Sequence, residues 1–394
     1  ARVLRQLLGC HALARTGHHQ ALQVRATKGH GASTYLVTLA ALAQGLSVTF
    51  FRSQAEAGIN HPLFAKEVAE PIFYRVSNPR RAHFFNGTQS DRISATACAT
   101  TKDKLKTKAL LHAKNLNTPV GGVMSAQDHA LLGRLHQAGV RRFVIKPVAG
   151  SLGKGVFLNQ TAAQVAGYLQ ANPEQSFLVE QHINGFDHRV HVVDGVVVTA
   201  LQRVPNHVVG NGSDTVATLF AARQEARRRN PYFIDKTADL AEVELTLLTR
   251  GGAWSDVPKQ GQVVWLAKDG IPGLQGDFNP SLHSLPEAAK HLAVAACKAV
   301  AAHSAGLDIL VEPSGTTYLL EINIRPWIGA QSFPHPQGAY NLTLPKALIQ
   351  SFFGAPNAQP RRLLGFDYQA LGAEVLREGR LTKGVEAADF AQFG

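Results

Sequence analysis

Charged side chains are sparse in this chain: Asp, Glu, Lys and Arg make up 17% of its 394 residues, and acidic ones are the scarcer, 28 against 40 basic. Cysteine is rarer still. Cys10, Cys98 and Cys297 lie far apart and in no CxxC spacing, which argues against a disulfide framework or a cysteine-bound zinc and for a reducing, cytoplasmic setting. Aromatic residues amount to 7%, and they do not interleave with basic ones into the stacking platform that single-stranded nucleic acid requires. No apolar run reaches the length of a membrane span. The basic excess, +12 overall, is scattered; its tight run, Arg227-Arg228-Arg229 beside Arg223, reads as a solvated helix face. Such a balance suits anionic small molecules, so neither a nucleic-acid nor a membrane partner is expected.

What is present describes a folded protein. Hydrophobic residues make up 45%, and the length suits two or three compact units without internal repeats. The opening ARVLRQLLGCHALARTG is a short apolar stretch broken by His11, which predicts an amphipathic helix or strand pair rather than a leader. Residues 34–46 have helical spacing and 47–51 read as a strand, giving a small α/β unit to about residue 95. A helix is expected before Pro119, capped by Thr101 and burying Leu105, Ala109, Leu110 and Leu111. Another opens at Ser125, with Asp128 as its reciprocal capping partner.

Residues 143–145 form a strand that delivers Lys146. A loop with three glycines follows, GSLGKG at 150–155, then a helix at 161–169 and a strand at 177–179 that delivers Glu180. Asp194-Gly195 between β-branched runs marks a hairpin. Helices are expected at 215–229 and 286–305, and a helix, a glycine turn and a strand over 240–265. Strands 307–311 and 318–324 pair through a turn at Pro313-Ser314-Gly315, and the last 40 residues read as helical and peripheral.

Two constellations carry chemistry. A strand-end cation, a loop of backbone N–H donors and a second strand ending in a carboxylate can together hold a nucleotide. The loop is not a Walker P-loop, because Gly155 follows Lys154 where a hydroxyl residue is needed. Glu321 and Asn323 are two apart and share a strand face, with Asp308 on the opposing strand. Two carboxylates and an amide oxygen favour magnesium or manganese bridging phosphates over zinc. Ordinary surface ion pairs are the rival reading, disfavoured because both strands, GLDILV and YLLEINI, are strongly apolar. The 17 histidines show no HExxH spacing; His182 and His188 read as supporting residues, and His335 as a candidate for an acceptor pocket.

The set Asp103-Lys104, Lys146, GSLGKG, Val179-Glu180, Asp187 and Asp308, Glu321, Asn323 resembles the ATP-grasp superfamily in order and spacing, over roughly residues 90–345. The run from Phe186 through Arg203 to Leu219 is most similar to the ATP-grasp regions of cyanophycin synthetases and bifunctional glutathione synthetases. The resemblance implies an α+β ATP-grasp fold, two α+β subdomains clasping the nucleotide, preceded by a small α/β pre-ATP-grasp domain. The implied divisions are 1–95, 96–185 (small subdomain, lid and hinge), 186–350 (metal-binding subdomain) and 351–394 (a peripheral helical extension).

Carried over, Lys104 and Lys146 would contact the α- and β-phosphates of ATP, and Gly150, Ser151, Gly153, Lys154 and Gly155 would cover the β- and γ-phosphates. Glu180 would accept from the adenine amino group, with Gln181 and the backbone of His182 or Ile183 at the ring edge, and Asp187 would hold the ribose. Asp308, Glu321 and Asn323 would bind magnesium. Arg203 and Arg325, and less directly Arg189, would face the transferred phosphate or the acyl carboxylate. The chain departs from these families after Leu266, where Ala267 and Lys268 stand, and at 272–277; Lys268 is the basic candidate there. The implied activity is ATP-dependent joining of a carboxylate to an amine on amino-acid or small-peptide substrates, with a homodimer as the suggested assembly. A small-molecule kinase and a non-catalytic nucleotide binder are the alternatives.

Overall fold

A computed structural model describes residues 29–62, 64–148, 155–230, 232–233, 236, 238–267, 275–334, 341–356, 368–379 and 381. The N-terminal reading over 1–28 lies outside these residues.

The chain opens with α1 (His30–Ala43), whose residues from Gly31 to Leu42 are all buried. A run of small and apolar residues on every side allows this, since no polar stripe needs water. Then come β1 (Ser47–Phe50), α2 (Gln54–Ala57), β2 (Phe73–Ser77), β3 (Ala82–Asn86) and β4 (Gln89–Ser90). The four strands form an antiparallel sheet in sequence order.

The next unit holds α3 (Ala95–Lys102), α4 (Lys104–Ala113), β5 (Gly121–Met124), α5 (Ala130–Gln137), β6 (Phe143–Pro147), β7 (Phe157–Gln160), α6 (Ala162–Ala171) and β8 (Phe177–Gln181). Its antiparallel sheet runs β5-β8-β6-β7 over a core that includes Phe143, Ile145, Leu169 and Val179. Two expectations are corrected. Asp103, not Thr101, caps the lysine-bearing helix: its carboxylate accepts from the N–H groups of Leu105 and Lys106 at 3.0 Å each, while Thr101 lies inside α3 and donates to the Ala97 carbonyl. The helix expected from Ser125 begins at Ala130, and Ser125 Oγ instead accepts from the Asp128 N–H in the preceding turn.

The largest unit comprises β9 (Phe186–Val193), β10 (Val196–Val204), β11 (His207–Val209), α7 (Val216–Arg228), α8 (Leu240–Thr249), β12 (Val263–Trp265), β13 (Asp277–Pro280), α9 (Glu287–Ala299), β14 (Ser304–Val311) and β15 (Thr317–Asn323). After it come α10 (Gly329–Ser332), α11 (Thr343–Phe353) and α12 (Tyr368–Glu378). The five-stranded sheet has the order β13-β10-β9-β14-β15. Its tight β9–β10 turn places Asp194 and Gly195 at φ 45° and 77°, the left-handed pair that a two-residue hairpin demands. One face is apolar and packs Val190, Val192, Leu307 and Ile309 against Ala289, Ala293 and Ala296 of α9. That helix ends at Ala299 rather than 305, because residues from Ser304 on are claimed by β14. β11, β12, α7 and α8 make a small unit over Val208, Phe220, Val243 and Leu266.

The C-terminal helices are not peripheral. Leu348, Ile349, Tyr368, Leu371 and Val375 are buried in one core with Tyr35, Leu39, Phe50 and Tyr74 of the N-terminal unit. Nor is Arg227 solvated: it is 2% exposed, donates to the Gly276 carbonyl at 2.9 Å and stacks on Phe233. Arg228 and Arg229 are exposed, as expected. Among the described residues, no helix is long and apolar enough to cross a membrane. Cys98 and Cys297 are free thiols, both buried.

Candidate active site

An open cleft lies between α4, the β6–β8 sheet and β15. Four elements put charge into it. Lys104 and Lys108 are one helical turn apart, so both point from the same side of α4; Thr107 lies between them. Lys146 stands on β6 and Glu180 on β8. Glu180 is directly opposite Val144, so Lys146, two residues along, shares its face. From β15 come Leu319 and Glu321.

Glu180 is the electrostatic centre. Its side chain is 5% exposed and meets Lys108 Nζ at 2.6 Å and Lys146 Nζ. Burial works against its charge, but Lys146 and Lys108 together outweigh burial and hold the carboxyl below its ordinary value. Burial also lowers the Lys108 pKa, opposed by Glu180. Gly121 permits this packing: a Cβ there would sit 2.2 Å from the Val179 carbonyl and 2.6 Å from Glu180 Cα. Lys108 escaped the sequence reading. Its signal was the four-residue spacing from Lys104, hidden among the alternating lysines at 102, 104, 106 and 108.

A second cluster lies within the large sheet. β9 pairs with both β10 and β14, setting Arg203 opposite Asp187 and Arg189 opposite Asp308. Arg189 grips Asp308 with Nε at 2.5 Å and Nη2 at 3.2 Å. Arg203 Nη2 bridges Asp187 at 2.7 Å and Asp308 at 3.1 Å. Burial opposes ionisation of Asp308, yet Arg189 and Arg203 keep its pKa below the usual carboxylate value. Asp187 has Arg203 as its ion-pair partner and the Asp308 charge nearby, and burial raises its pKa. Two guanidiniums and two carboxylates balance in charge. Behind them His191, held neutral by burial at a pKa of about 3, accepts at Nδ1 from Gln331 at 2.9 Å.

Asp308 stands opposite Glu321, and Asn323 opposite Gly306. Glu321 and Asn323 are exposed, and Asn323 Oδ1 accepts from the Arg325 N–H at 2.9 Å. No group of three or more His, Cys, Asp or Glu side chains suited to a metal occurs among the described residues. The oxygen donors are therefore two carboxylates and one amide on neighbouring strands. Oxygen donors of this kind are the ones a hard divalent cation takes, and both Asp308 oxygens are held by Arg189 and Arg203.

The cleft thus gathers Lys104, Lys146, Glu180 and Glu321. Asp187, Arg203, Asp308, Asn323 and Arg325 are not among the residues lining it. Gln181 and His182 continue from Glu180, but their N–H groups are committed to the carbonyls of Val120 and Arg142, at 2.7 and 2.9 Å; Ile183 is buried. His188 bonds Ser281 at 3.1 Å. Gly155, at φ 69°, packs on Pro147. Gly150, Ser151, Gly153, Lys154, Lys268 and His335 lie outside the described residues.

Two α+β units with a cation-lined cleft between them define an ATP-grasp fold. Residues 101–211 match the family model of the RimK-like ATP-grasp domain. The bifunctional glutathione synthetase of Pasteurella multocida has the same fold, with a TM-score of 0.56 and 22% identity over 73% of this chain and 41% of that one. Cyanophycin synthetase of a Nostoc species is 30% identical over 295 residues, 70% of this chain and 31% of the relative. The bifunctional glutathione biosynthesis protein GshAB of Streptococcus agalactiae is 24% identical over 286 residues, 68% of this chain and 38% of the relative. The chain therefore spans about a third of the length of the curated relatives it matches.

Proposed function

We propose that this protein is an ATP-dependent carboxylate–amine ligase, forming a peptide or amide bond between amino acids or small peptides and releasing ADP and phosphate. The observation that carries the proposal is the convergence of Lys104, Lys108, Lys146, Glu180 and Glu321 on one cleft from four separate elements. Phosphoryl transfer asks for position and charge neutralisation rather than a covalent partner, and a cleft rich in ammonium groups suits it. The γ-phosphate passes to a carboxylate oxygen; the resulting acyl phosphate is attacked at carbon by the amine, and phosphate leaves.

The lysines hold and neutralise the phosphates, and Glu180 turns from its two lysine partners to the adenine amino group once the phosphates take them. Arg203, Arg325 and Lys268 serve the transferred phosphate or the acyl carboxylate. Gly150, Ser151, Gly153, Lys154 and Gly155 cover the phosphates, Gln181, His182 and Ile183 border the base, and Asp187 serves the ribose. Asp308, Glu321 and Asn323 would hold magnesium, or manganese, which neutralises phosphate charge when bound. The division at 95, 185 and 350 belongs to the same proposal, as does a cytoplasmic setting, supported by the buried free thiols.

The test supplies the full chain with ATP, magnesium and amino-acid pairs, and measures ADP and the coupled product. Lys146→Ala and Glu321→Ala should each lose about 10²-fold or more in rate. Undiminished ADP release by either refutes the site. A stable phosphorylated product formed without an amine identifies a kinase instead.

A further inference from the structure

The four charges on the large sheet are shared unequally. Asp308 commits both carboxylate oxygens to arginine: Oδ1 accepts from Arg189 Nε at 2.5 Å, and Oδ2 accepts from Arg189 Nη2 at 3.2 Å and faces Arg203 Nη2 at 3.1 Å. Arg189 stands directly opposite Asp308 in register and holds it with two nitrogens. Its own carbonyl accepts from Gln331 Nε2 at 3.4 Å. Arg203 is placed differently. It lies on β10, two strands from β14 in the sheet, a span of roughly 10 Å between backbones, so its side chain must lie across β9 to reach Asp308. One nitrogen, Nη2, makes both of its ion pairs, to Asp187 at 2.7 Å and to Asp308. Its Nε is buried and has no partner among the described residues.

A guanidinium can offer two parallel N–H groups to one anion. Arg203 instead divides one nitrogen between two carboxylates and leaves another idle. Arg189 is therefore the firm partner of Asp308, and Arg203 the one that a better anion can take. A phosphate group, whose oxygens match the arginine fork, is such an anion. When Arg203 leaves, a single movement releases Asp187 and removes one of the two donors on Asp308 Oδ2. A divalent cation arriving alone meets the opposite situation. Two guanidiniums already balance two carboxylates, and the Arg203 and Asp308 side chains are 18% and 12% exposed, so water screens them little. The cation would have to break a charge-assisted hydrogen bond and leave the displaced guanidinium without an anion.

We infer that Arg203 is a latch over Asp308 and Asp187, closed in the nucleotide-free protein and drawn open by nucleotide phosphates, so that a divalent cation gains Asp308 only with or after the nucleotide. Arg189 is the fixed positioning residue that keeps Asp308 aimed throughout. The inference rests on the ligase proposal and adds an order of assembly to its site.

The experiment titrates manganese(II) into the full chain without nucleotide and follows the loss of the free-ion electron paramagnetic resonance signal. The variant pairs Arg203→Met with Asp187→Asn, which removes one charge of each sign, keeps the net charge and orphans no carboxylate. It should bind manganese(II) about tenfold or more tightly than the parent, because a donor to Asp308 Oδ2 has gone. Adding Asp308→Asn should abolish that gain. With manganese(II) present, the paired variant should bind the non-hydrolysable nucleotide AMP-PNP about tenfold or more weakly than Asp187→Asn alone does, because the phosphates have lost their guanidinium. If the paired variant does not fold, Arg203→Lys carries the same manganese expectation: its shorter side chain still serves Asp187 on the adjacent strand but not Asp308 beyond it. The inference is overturned if the folded variant binds manganese(II) as the parent does, if the gain survives Asp308→Asn, or if the paired variant and Asp187→Asn bind AMP-PNP alike. AMP-PNP binding by the parent in those cases leaves the ligase proposal standing; its absence removes both.

Discussion

Replacing Glu180 by glutamine keeps the shape of the side chain and removes the carboxylate that two buried ammonium groups share. Lys108 and Lys146 are 12% and 17% exposed, and Glu180 is 5% exposed, so water cannot take over the lost role. Removing one partner from a buried ion pair costs about 3–5 kcal/mol. With roughly 2–4 °C of thermal midpoint per kcal/mol for a domain of this order of size, the nucleotide-free variant should melt roughly 6–20 °C below the parent. Differential scanning calorimetry without nucleotide measures it. The double variant Glu180→Gln with Lys108→Met should recover part of the loss, since one uncompensated cation has gone, and the cycle should show a coupling of about 1 kcal/mol or more. A midpoint within about 2 °C of the parent, with no coupling, would show that solvent reaches these charges and that the cleft is not held together as described.

Acid should act on the same group. Glu180 has a folded pKa below its ordinary 4.5, so its contribution is complete above that value and disappears as pH falls through the lowered one. The parent should lose stability below about pH 4.5 more steeply than Glu180→Gln, as followed by urea midpoints across pH. Asp308→Asn strips Arg189 of its ion-pair partner, whereas Asp187→Asn leaves Arg203 still paired with Asp308; the first should therefore be the more destabilising, by about 1 kcal/mol or more in urea unfolding. Gly329→Ala would bring a Cβ to 2.0 Å from Tyr232 Cε2, an overpacking that should cost about 1–3 kcal/mol in the same measurement.

Local signals survived into the structure and distant ones did not. Asp194-Gly195 forms the hairpin expected of it, because only residues tolerant of positive φ suit that turn. Asp308 falls opposite Glu321 because a short turn fixes the register between neighbouring strands. By contrast, the pairing of β9 with β14 joins segments more than a hundred residues apart, and no spacing rule announces that Arg189 will grip Asp308. Lys108 was readable in principle, since helical phase separates it and Lys104 from Lys106, which reaches Asp103 in solvent. The cap was misjudged because Thr101 and Asp103 are both good caps, and the break between α3 and α4 decides for Asp103. Arg227 looked solvated because a triple-arginine run shows no helical phase until the helix is seen against Phe233.

The burial of Tyr368 against Tyr35 and Phe50 sets a timetable for biosynthesis. At the ribosome α1 and β1 emerge roughly 300 residues before α12, an interval of roughly 15–60 s at about 5–20 residues per second. Throughout that wait the nascent N-terminal sheet lacks its last layer, so a chaperone that shelters exposed aromatic surface has its natural opportunity there. A premature stop after Phe353 should yield an aggregating polypeptide even though every residue of the cleft has been made.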